Sequence, residues 1–434
     1  MSVPPAGQPG SGERLRVLVV GAGAREHALA WRLSRSSEVE EVYAAPGNPG
    51  IAAVATCVPI PADAVVEMAE FASSLRIDLT VVGPELPLVL GIADEFARRG
   101  LLLFGPSRAA AEVEASKVFT KEFCLRHGIP TARAVVTRDR GEAAAAARDL
   151  GLPVVVKADG LAAGKGVIVC QTKEEVEAAL VHFFDARSFG AAANRVLVEE
   201  CLVGDEASFM VLTDGSTVLP LASARDYKRV GDGDRGPNTG GMGSVSPAPL
   251  EPDVAAAVLR EIVHPTVAGL AAEGRTYRGL LYAGVMVTKA GAQLLEYNCR
   301  FGDPETQAVI PRLEDDLLPL LHAAARGDLG TMRATWRREA AACVVAAAEG
   351  YPATPRRGDP ISGLVEALAQ PGVMVFHAGT AMQDGRLVTA GGRVLSVVGR
   401  GATLDEALER TYAAVTKVHF EGMHYRRDIG RAPR

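Results

Sequence analysis

The sequence predicts a multidomain chain that combines α/β and α+β architecture. An open parallel α/β domain comes first, a core with an inserted α+β lid follows, and a small β-rich domain closes the chain. Three observations carry this reading. Short apolar strands alternate with helices over roughly the first hundred residues. A hairpin-like stretch rich in glycine and lysine interrupts the middle, and the last part breaks into short β segments separated by glycine turns. With 434 residues, two to four folding units are expected.

Taken in order, residues 1–13 read as a flexible tail, with neither the basic region nor the apolar run of a signal peptide. Residues 14–114 form the α/β unit. Arg16–Val20 (RVLVV) reads as a buried parallel-type strand, followed by Gly21-Ala22-Gly23 and a helix through Leu33. Glu41–Ala45, Leu79–Val82 and Leu101–Phe104 read as further strands, with helices near 64–74 and 92–99. The second unit is expected over 115–330. It opens with a helix from about Ser116 to His127, ended by Gly128 and Pro130. Its lid, about 131–195, holds the hairpin PVVVKADGLAAGKGVIVC, and a glycine-dense loop, Gly231–Gly243, follows later. Residues 331–434 form the β-rich unit, with a helix over 404–416.

Composition bounds the function. The chain is 48% hydrophobic and 23% charged, as soluble globular proteins are. A net charge of −6 and the lack of a long Lys/Arg cluster argue against nucleic acid as a partner. No run of about 18 apolar residues suggests a membrane span. The six cysteines (57, 124, 170, 201, 299 and 343) lack metal-ligand spacing and read as free thiols of a reducing cytoplasm.

The most informative stretch is Leu294–Gln307 (LLEYNCRFGDPETQ). If extended, it places Glu296, Asn298 and Arg300 on one face and Leu295, Tyr297 and Cys299 on the other. A carboxylate and an amide oxygen two residues apart are hard ligands suited to Mg²⁺, and an arginine beside them offers a planar fork for phosphate or carboxylate. A solvated strand face is the plainer reading, and the other motifs weigh against it. Gly21-x-Gly23 is half of a dinucleotide fingerprint, but Glu26 replaces its third glycine and no acid ends the second strand. A helix N-terminus there suits a single phosphate better than a nicotinamide cofactor. Gly160-Leu-Ala-Ala-Gly164-Lys165-Gly166 fails as a P-loop, because a strand follows it. It fits a hairpin folded over triphosphate, with Lys157 on the incoming strand. Val196–Glu206 can offer backbone groups to an adenine edge, with Glu206 placed for ribose hydroxyls. The loop after Asp226-Tyr227-Lys228-Arg229 can present a nest of N–H groups at Pro237-Asn238-Thr239-Gly240-Gly241 to an anion.

A strand lysine, a glycine-rich hairpin, a Val-Glu-Glu hinge and a Glu-x-Asn pair, in that order, resemble an ATP-grasp enzyme. The blocks VLVVGAGAREHAL, APGNPG, VVGPELP, KADGLAAGKGV, Lys228–Gly243 and RFGDPETQ resemble the phosphoribosylamine–glycine ligase family, over nearly the whole chain from about Arg14 to Ile429. The resemblance implies an ATP-grasp core with an inserted lid. It also implies an ATP-dependent ligation of glycine to 5-phosphoribosylamine through glycyl phosphate. Residue by residue, Lys117 and Lys157 match phosphate-contacting lysines, and Gly160, Gly164, Lys165 and Gly166 the lid loop. Glu199, Glu200, Cys201 and Leu202 match the adenine hinge, Glu206 the ribose ligand, and Glu296 and Asn298 the Mg²⁺ (or Mn²⁺) ligands. Arg300 matches the clamp on the acyl substrate, with Lys157 and Lys165 as its catalytic companions. Gly23, Arg25, Glu85, Asp226, Lys228 and Asn238 match the substrate side. A monomer or weak homo-oligomer is expected.

Two departures stand out. Ala283-Gly284-Val285 occupies the stretch where many ATP-grasp enzymes carry a further metal carboxylate. Arg225-Asp226-Tyr227 stands where the family pattern has a smaller neutral residue before the Asp and often a His after it. Two other readings fit less of the sequence. A formate-dependent transformylase or aminoimidazole carboxylase is opposed by RFGDPETQ and KADGLAAGKG. A non-catalytic nucleotide-binding module is opposed by the retained set Lys157, Glu296, Asn298 and Arg300.

Overall fold

The computed structural model describes residues 14–161, 166–185 and 195–431. Five parallel strands open it, in the spatial order Thr56–Cys57, Val39–Pro46, Leu15–Gly21, Leu79–Val82, Leu103–Phe104. The central strand is buried everywhere except at Arg16, as an apolar run covered on both faces must be. Strand order reverses there, so the turns after Gly21 and Val82 border a crevice at the carboxyl ends of the strands. Helices Ala24–Leu33 and Glu85–Leu90 start at that crevice and bring Arg25 and Glu85 to it.

The lid sheet is antiparallel, in the order Ala134–Thr137, Val196–Glu200, Val154–Ala158, Val167–Cys170. Helices Arg140–Leu150 and Lys173–Leu180 cover it and share a small core with it. Their first turns are fixed by side-chain caps: Asp139 accepts from the Glu142 N–H at 2.9 Å and Thr172 from the Glu175 N–H at 3.2 Å. Lys157 pairs in register with Leu197, which sets Lys157 and Glu199 diagonally on one face.

A second antiparallel sheet runs Val218–Pro220, Asp205–Thr213, Gly279–Thr288, Gly291–Asn298. The expected alternation along its last strand holds from Glu296 onward, with Tyr297 and Cys299 buried. It fails at Leu295. Gly284 pairs with Glu296 but Val285 pairs with Leu294, so Leu295 is one residue too many for the ladder. Leu294, not Leu295, therefore joins the core.

The helical stretch Pro252–Ala272, 21 residues, is long and apolar enough, by length and composition, to cross a bilayer, with mean hydropathy 1.3 over an 18-residue window. Its side chains Val258, Ile262, Val263, Val267 and Leu270 belong to the same core as Leu294 and Tyr297, so packing explains the apolar face. The third large sheet runs Arg225–Asp226, Gly243–Ser246, Ala340–Ala347, Arg393–Gly401, Val373–His377. It joins two strands from before residue 330 to the C-terminal strands, so the tail of the chain is built into the body that carries Asp226.

The first and last parts meet at a buried polar joint. Asn48 uses its whole amide: Nδ2 donates to the carbonyls of Ala22 and His377, each at 2.8 Å, and Oδ1 accepts from the Gly50 and Ile51 N–H groups, each at 2.9 Å. His27 Nδ1 accepts the His377 N–H at 2.8 Å. Burial, helped by the neighbouring His377, pushes His27 down to about 3, and burial pushes His377 down to about 4. Both rings take protons more readily in the unfolded chain. The stability they contribute is thus full above about pH 6.5 and is lost as the pH falls toward their folded values. For His27 alone this amounts to about 2 kcal/mol by pH 5. Thermal melts should show a smaller drop between pH 7 and pH 5 in His27→Asn than in the parent chain. An equal drop in both would contradict the assignment.

Candidate active site

A single cleft of about 430 Å³ gathers side chains from every part of the chain. At one end stand three lysines. Lys117 opens the helix Lys117–Arg126, capped by Ser116, and donates to the Gly160 carbonyl at 2.8 Å. Lys121 lies one turn on, on the same face. Glu199 is 4% exposed and bridges two of the three, with Oε2 at 2.5 Å from Lys157 and Oε1 at 2.9 Å from Lys121. Burial alone would raise Glu199, but the two ammonium groups outweigh it and hold the carboxyl below its usual range. Leu295, pushed out of the ladder, turns its carbonyl toward Lys157 Nζ at 3.4 Å.

Glu296 and Asn298 occupy the middle. Lys228 Nζ lies 2.5 Å from Glu206 and 3.3 Å from Glu296. Lys228, then Lys157 and Lys117, act against burial and hold Glu296 ionised, down to about 2. Gly284 sits directly across the ladder, where a Cβ would come 3.3 Å from Glu296 Cγ, so this strand brings no second carboxylate. Among the described residues no group of three or more His, Cys, Asp and Glu is set to hold a metal. Two oxygen donors of the kind that suit Mg²⁺ are therefore available here.

Arg300 holds the far end. Its Nη2 donates to Asn298 Oδ1 at 2.9 Å and lies 3.2 Å from Glu114, while Nε lies 3.2 Å from Glu85. Burial opposes the charge, but Glu114 and Glu85 outweigh it and raise the guanidinium further. Arg25 donates to the Phe301 carbonyl at 3.1 Å, and Arg393 pairs with Asp303 at 3.0 Å. Asp226 Oδ1 is buried without a hydrogen-bond partner, and burial together with Glu305 raises its carboxyl well above the usual range.

Arg25, Glu85, Lys117, Lys157, Gly166, Glu199, Asp226, Lys228, Asn238, Glu296, Asn298 and Arg300 all line this cleft. Glu206 stands just outside it on the neighbouring strand and reaches it through Lys228. Glu200 turns outward to Arg133 at 2.8 Å, and the Cys201 N–H donates to the Pro153 carbonyl at 3.3 Å. Leu202 adjoins them without lining the cleft, and the Gly160 carbonyl is taken by Lys117. Gly164 and Lys165 lie outside the described residues. At the helix N-terminus one N–H is already engaged: that of Gly23 donates to Glu26 Oε2. Glu26, in the place of the third glycine, packs so closely on Gly21 and Gly83 that neither has room for a Cβ.

Sequence profiles of phosphoribosylglycinamide synthetase match three segments: the N domain over residues 15–114, the ATP-grasp (A) domain over 115–306 and the C domain over 341–432. The chain belongs to the phosphoribosylglycinamide synthetase family. The phosphoribosylamine–glycine ligase of Mesorhizobium japonicum is 51% identical over 417 residues, covering 96% of this chain and 98% of that protein. That of Vibrio cholerae is 49% identical over 420 residues, with the same coverage of each. The crystal structure of phosphoribosylamine–glycine ligase from Thermotoga maritima is 36% identical, with a TM-score of 0.82, over 96% of this chain and 100% of that one. N5-carboxyaminoimidazole ribonucleotide synthetase from the same organism shares the fold, at 18% identity and a TM-score of 0.65 over 94% and 99% of the two chains.

Family motifs did not single out Lys121, Glu114 or Arg393. Lys121 had a signal, four residues from Lys117 on one helix. Glu114 and Arg393 had none, since their partners lie far away in sequence.

Glu199 supplies the test of this electrostatic frame. Glu199→Gln removes the charge shared by two buried ammonium groups and should cost about 3 kcal/mol at pH 7. Because the folded carboxyl titrates below the unfolded one, the difference should be full above about pH 4.3 and shrink as the pH falls further. Denaturant melts of both proteins at pH 7 and pH 3.5 measure it. A gap that is equal at both pH values would contradict the charge argument.

Proposed function

We propose that this chain ligates glycine to 5-phosphoribosylamine with ATP, giving glycinamide ribonucleotide, ADP and phosphate through glycyl phosphate. The observation that carries the proposal is Arg300. It binds Asn298 of the Glu-x-Asn pair while facing Glu85 of the first domain, so one side chain links the phosphate-donor end to the amine end.

In this reading Lys117 and Lys157, with the hairpin at Gly160–Gly166, neutralise the phosphates of ATP. The backbone at Glu199–Leu202 faces the adenine and Glu206 the ribose. Mg²⁺ or Mn²⁺ would be held by Glu296 and Asn298, with the nucleotide phosphates completing its shell, and when bound it supplies further charge neutralisation there. Arg300 orients the glycine carboxylate, one oxygen of which attacks the γ-phosphorus and displaces ADP. The amine of phosphoribosylamine then attacks the carbonyl carbon, loses a proton and expels phosphate. Arg25, Glu85, Asp226, Lys228 and Asn238 line the side from which it arrives. Phosphoryl transfer of this kind needs positioning and neutralised charge rather than a protein nucleophile. The lid's second task is to keep water from the acyl phosphate.

A coupled assay should find ADP release dependent on glycine and phosphoribosylamine together, and nearly absent when either is omitted. ADP release driven by formate or bicarbonate and indifferent to glycine would overturn the proposal. Glu296→Ala should remain folded and lower kcat by roughly 100-fold or more. Activity near that of the parent would remove Glu296 from the metal site.

A further inference from the structure

The departure at Arg225-Asp226-Tyr227 has a structural counterpart at the other end of the chain. The Tyr227 ring lies between two guanidinium groups, Arg225 at 5.5 Å and Arg426 at 5.2 Å from its centroid. Arg426 is 1% exposed, an unusual place for an arginine. Its fork is filled: Nη1 donates to Asp234 Oδ1 at 2.7 Å and to the Arg229 carbonyl at 3.2 Å, and Nε and Nη2 donate to Asp428 at 2.8 and 2.7 Å.

The neighbours of Arg426 continue the seam. His424 Nε2 lies 2.8 Å from the Val230 carbonyl, and the Arg427 N–H donates to Asp232 Oδ1 at 2.7 Å. The Gly233 N–H donates to Asp428 Oδ2 at 2.8 Å. The C-terminal segment is thus sewn to the outer half of the glycine-dense loop. The inner half of that loop, Asn238 to Gly240, lines the cleft, and Thr239 is tied to the Lys228 carbonyl through both its N–H and its hydroxyl at 2.8 Å.

We propose that Arg426 is a positioning residue for the ligation: it latches the C-terminal segment to the 229–240 loop and, by stacking on Tyr227, fixes Asp226 in the cleft. The loop's inner end touches Arg393 and Pro304, beside Asp303. The latch therefore governs the glycine and phosphoribosylamine end more than the ATP end, a distinction that rests on the functional reading above. A glycine-rich hairpin has little structure of its own, so its order must be supplied by such contacts.

Two variants test this. Arg426→Met removes the fork, and Asp234→Asn removes only the charge on the loop side, at a half-exposed position that leaves the buried tail packing intact. Both should cut the trypsin resistance of the exposed Arg235 bond about tenfold or more, with Asp234→Asn the milder. Both should raise KM for glycine or phosphoribosylamine about tenfold, with KM for ATP within about twofold. Unchanged nicking and unchanged KM values in Asp234→Asn, or equal increases in all three KM values, would overturn the latch. If the parent chain itself failed to use glycine, the functional reading would fall. Nicking at Arg235 would still decide whether the latch exists.

Discussion

Arg300 is the constraint around which the rest is arranged. Its guanidinium is planar and permanently charged, and it spends its donors on an amide oxygen from its own strand and on two acids from earlier in the chain. Glu114 reaches back to the same strand, accepting the Cys299 N–H at 2.7 Å. The short helix Glu112–Ala115, the crevice of the parallel sheet and the end of the Gly291–Asn298 strand are thereby pinned to one another. A charge buried this deeply is tolerable only when its partners are in place. Its neighbourhood can therefore hold one geometry and not several.

The same logic extends along the cleft. Most cations of the cleft have a matching acid: Lys121 and Lys157 share Glu199, Lys228 sits between Glu206 and Glu296, and Arg393 is held by Asp303, while Lys117 donates to the Gly160 carbonyl. Such a site is preorganised, because incoming phosphate and carboxylate oxygens meet charges already aimed and partly desolvated. Among the described residues, no histidine lines the cleft. The buried pair His27 and His377 serves instead as a joint between the first and last parts of the chain.

Much of this was legible in the sequence, because local spacing sets local geometry. The period of a strand placed Glu296, Asn298 and Arg300 together, and the strand–loop–strand grammar distinguished the lysine hairpin from a P-loop. What was not legible depended on distant partners. Asp303 and Glu305 had no assignable role from sequence. In the fold, Asp303 accepts from Gln307 at 2.6 Å and holds Arg393, while Glu305 accepts from Ser208 at 3.0 Å and Tyr282 at 2.5 Å. Both brace the turn that carries Arg300, and all of their partners but Gln307 come from other elements. The bulge at Leu295 was hidden for a related reason: it is a property of the pairing with Gly284 and Val285, not of the strand itself. Glu26 was hidden in the opposite sense: it is a local partner, taking the Gly23 N–H of a turn whose glycines suggest open backbone groups.

The central claim is that the two ends of the cleft, joined through Arg300, form one site for an acyl phosphate. Glycine labelled with ¹⁸O in its carboxylate tests this directly, by mass analysis of the phosphate released in the complete reaction. If a carboxylate oxygen attacks the γ-phosphorus and the carbonyl–oxygen bond breaks on amide formation, each phosphate carries one labelled oxygen and the nucleotide product is ADP. Unlabelled phosphate, or AMP in place of ADP, would contradict the account.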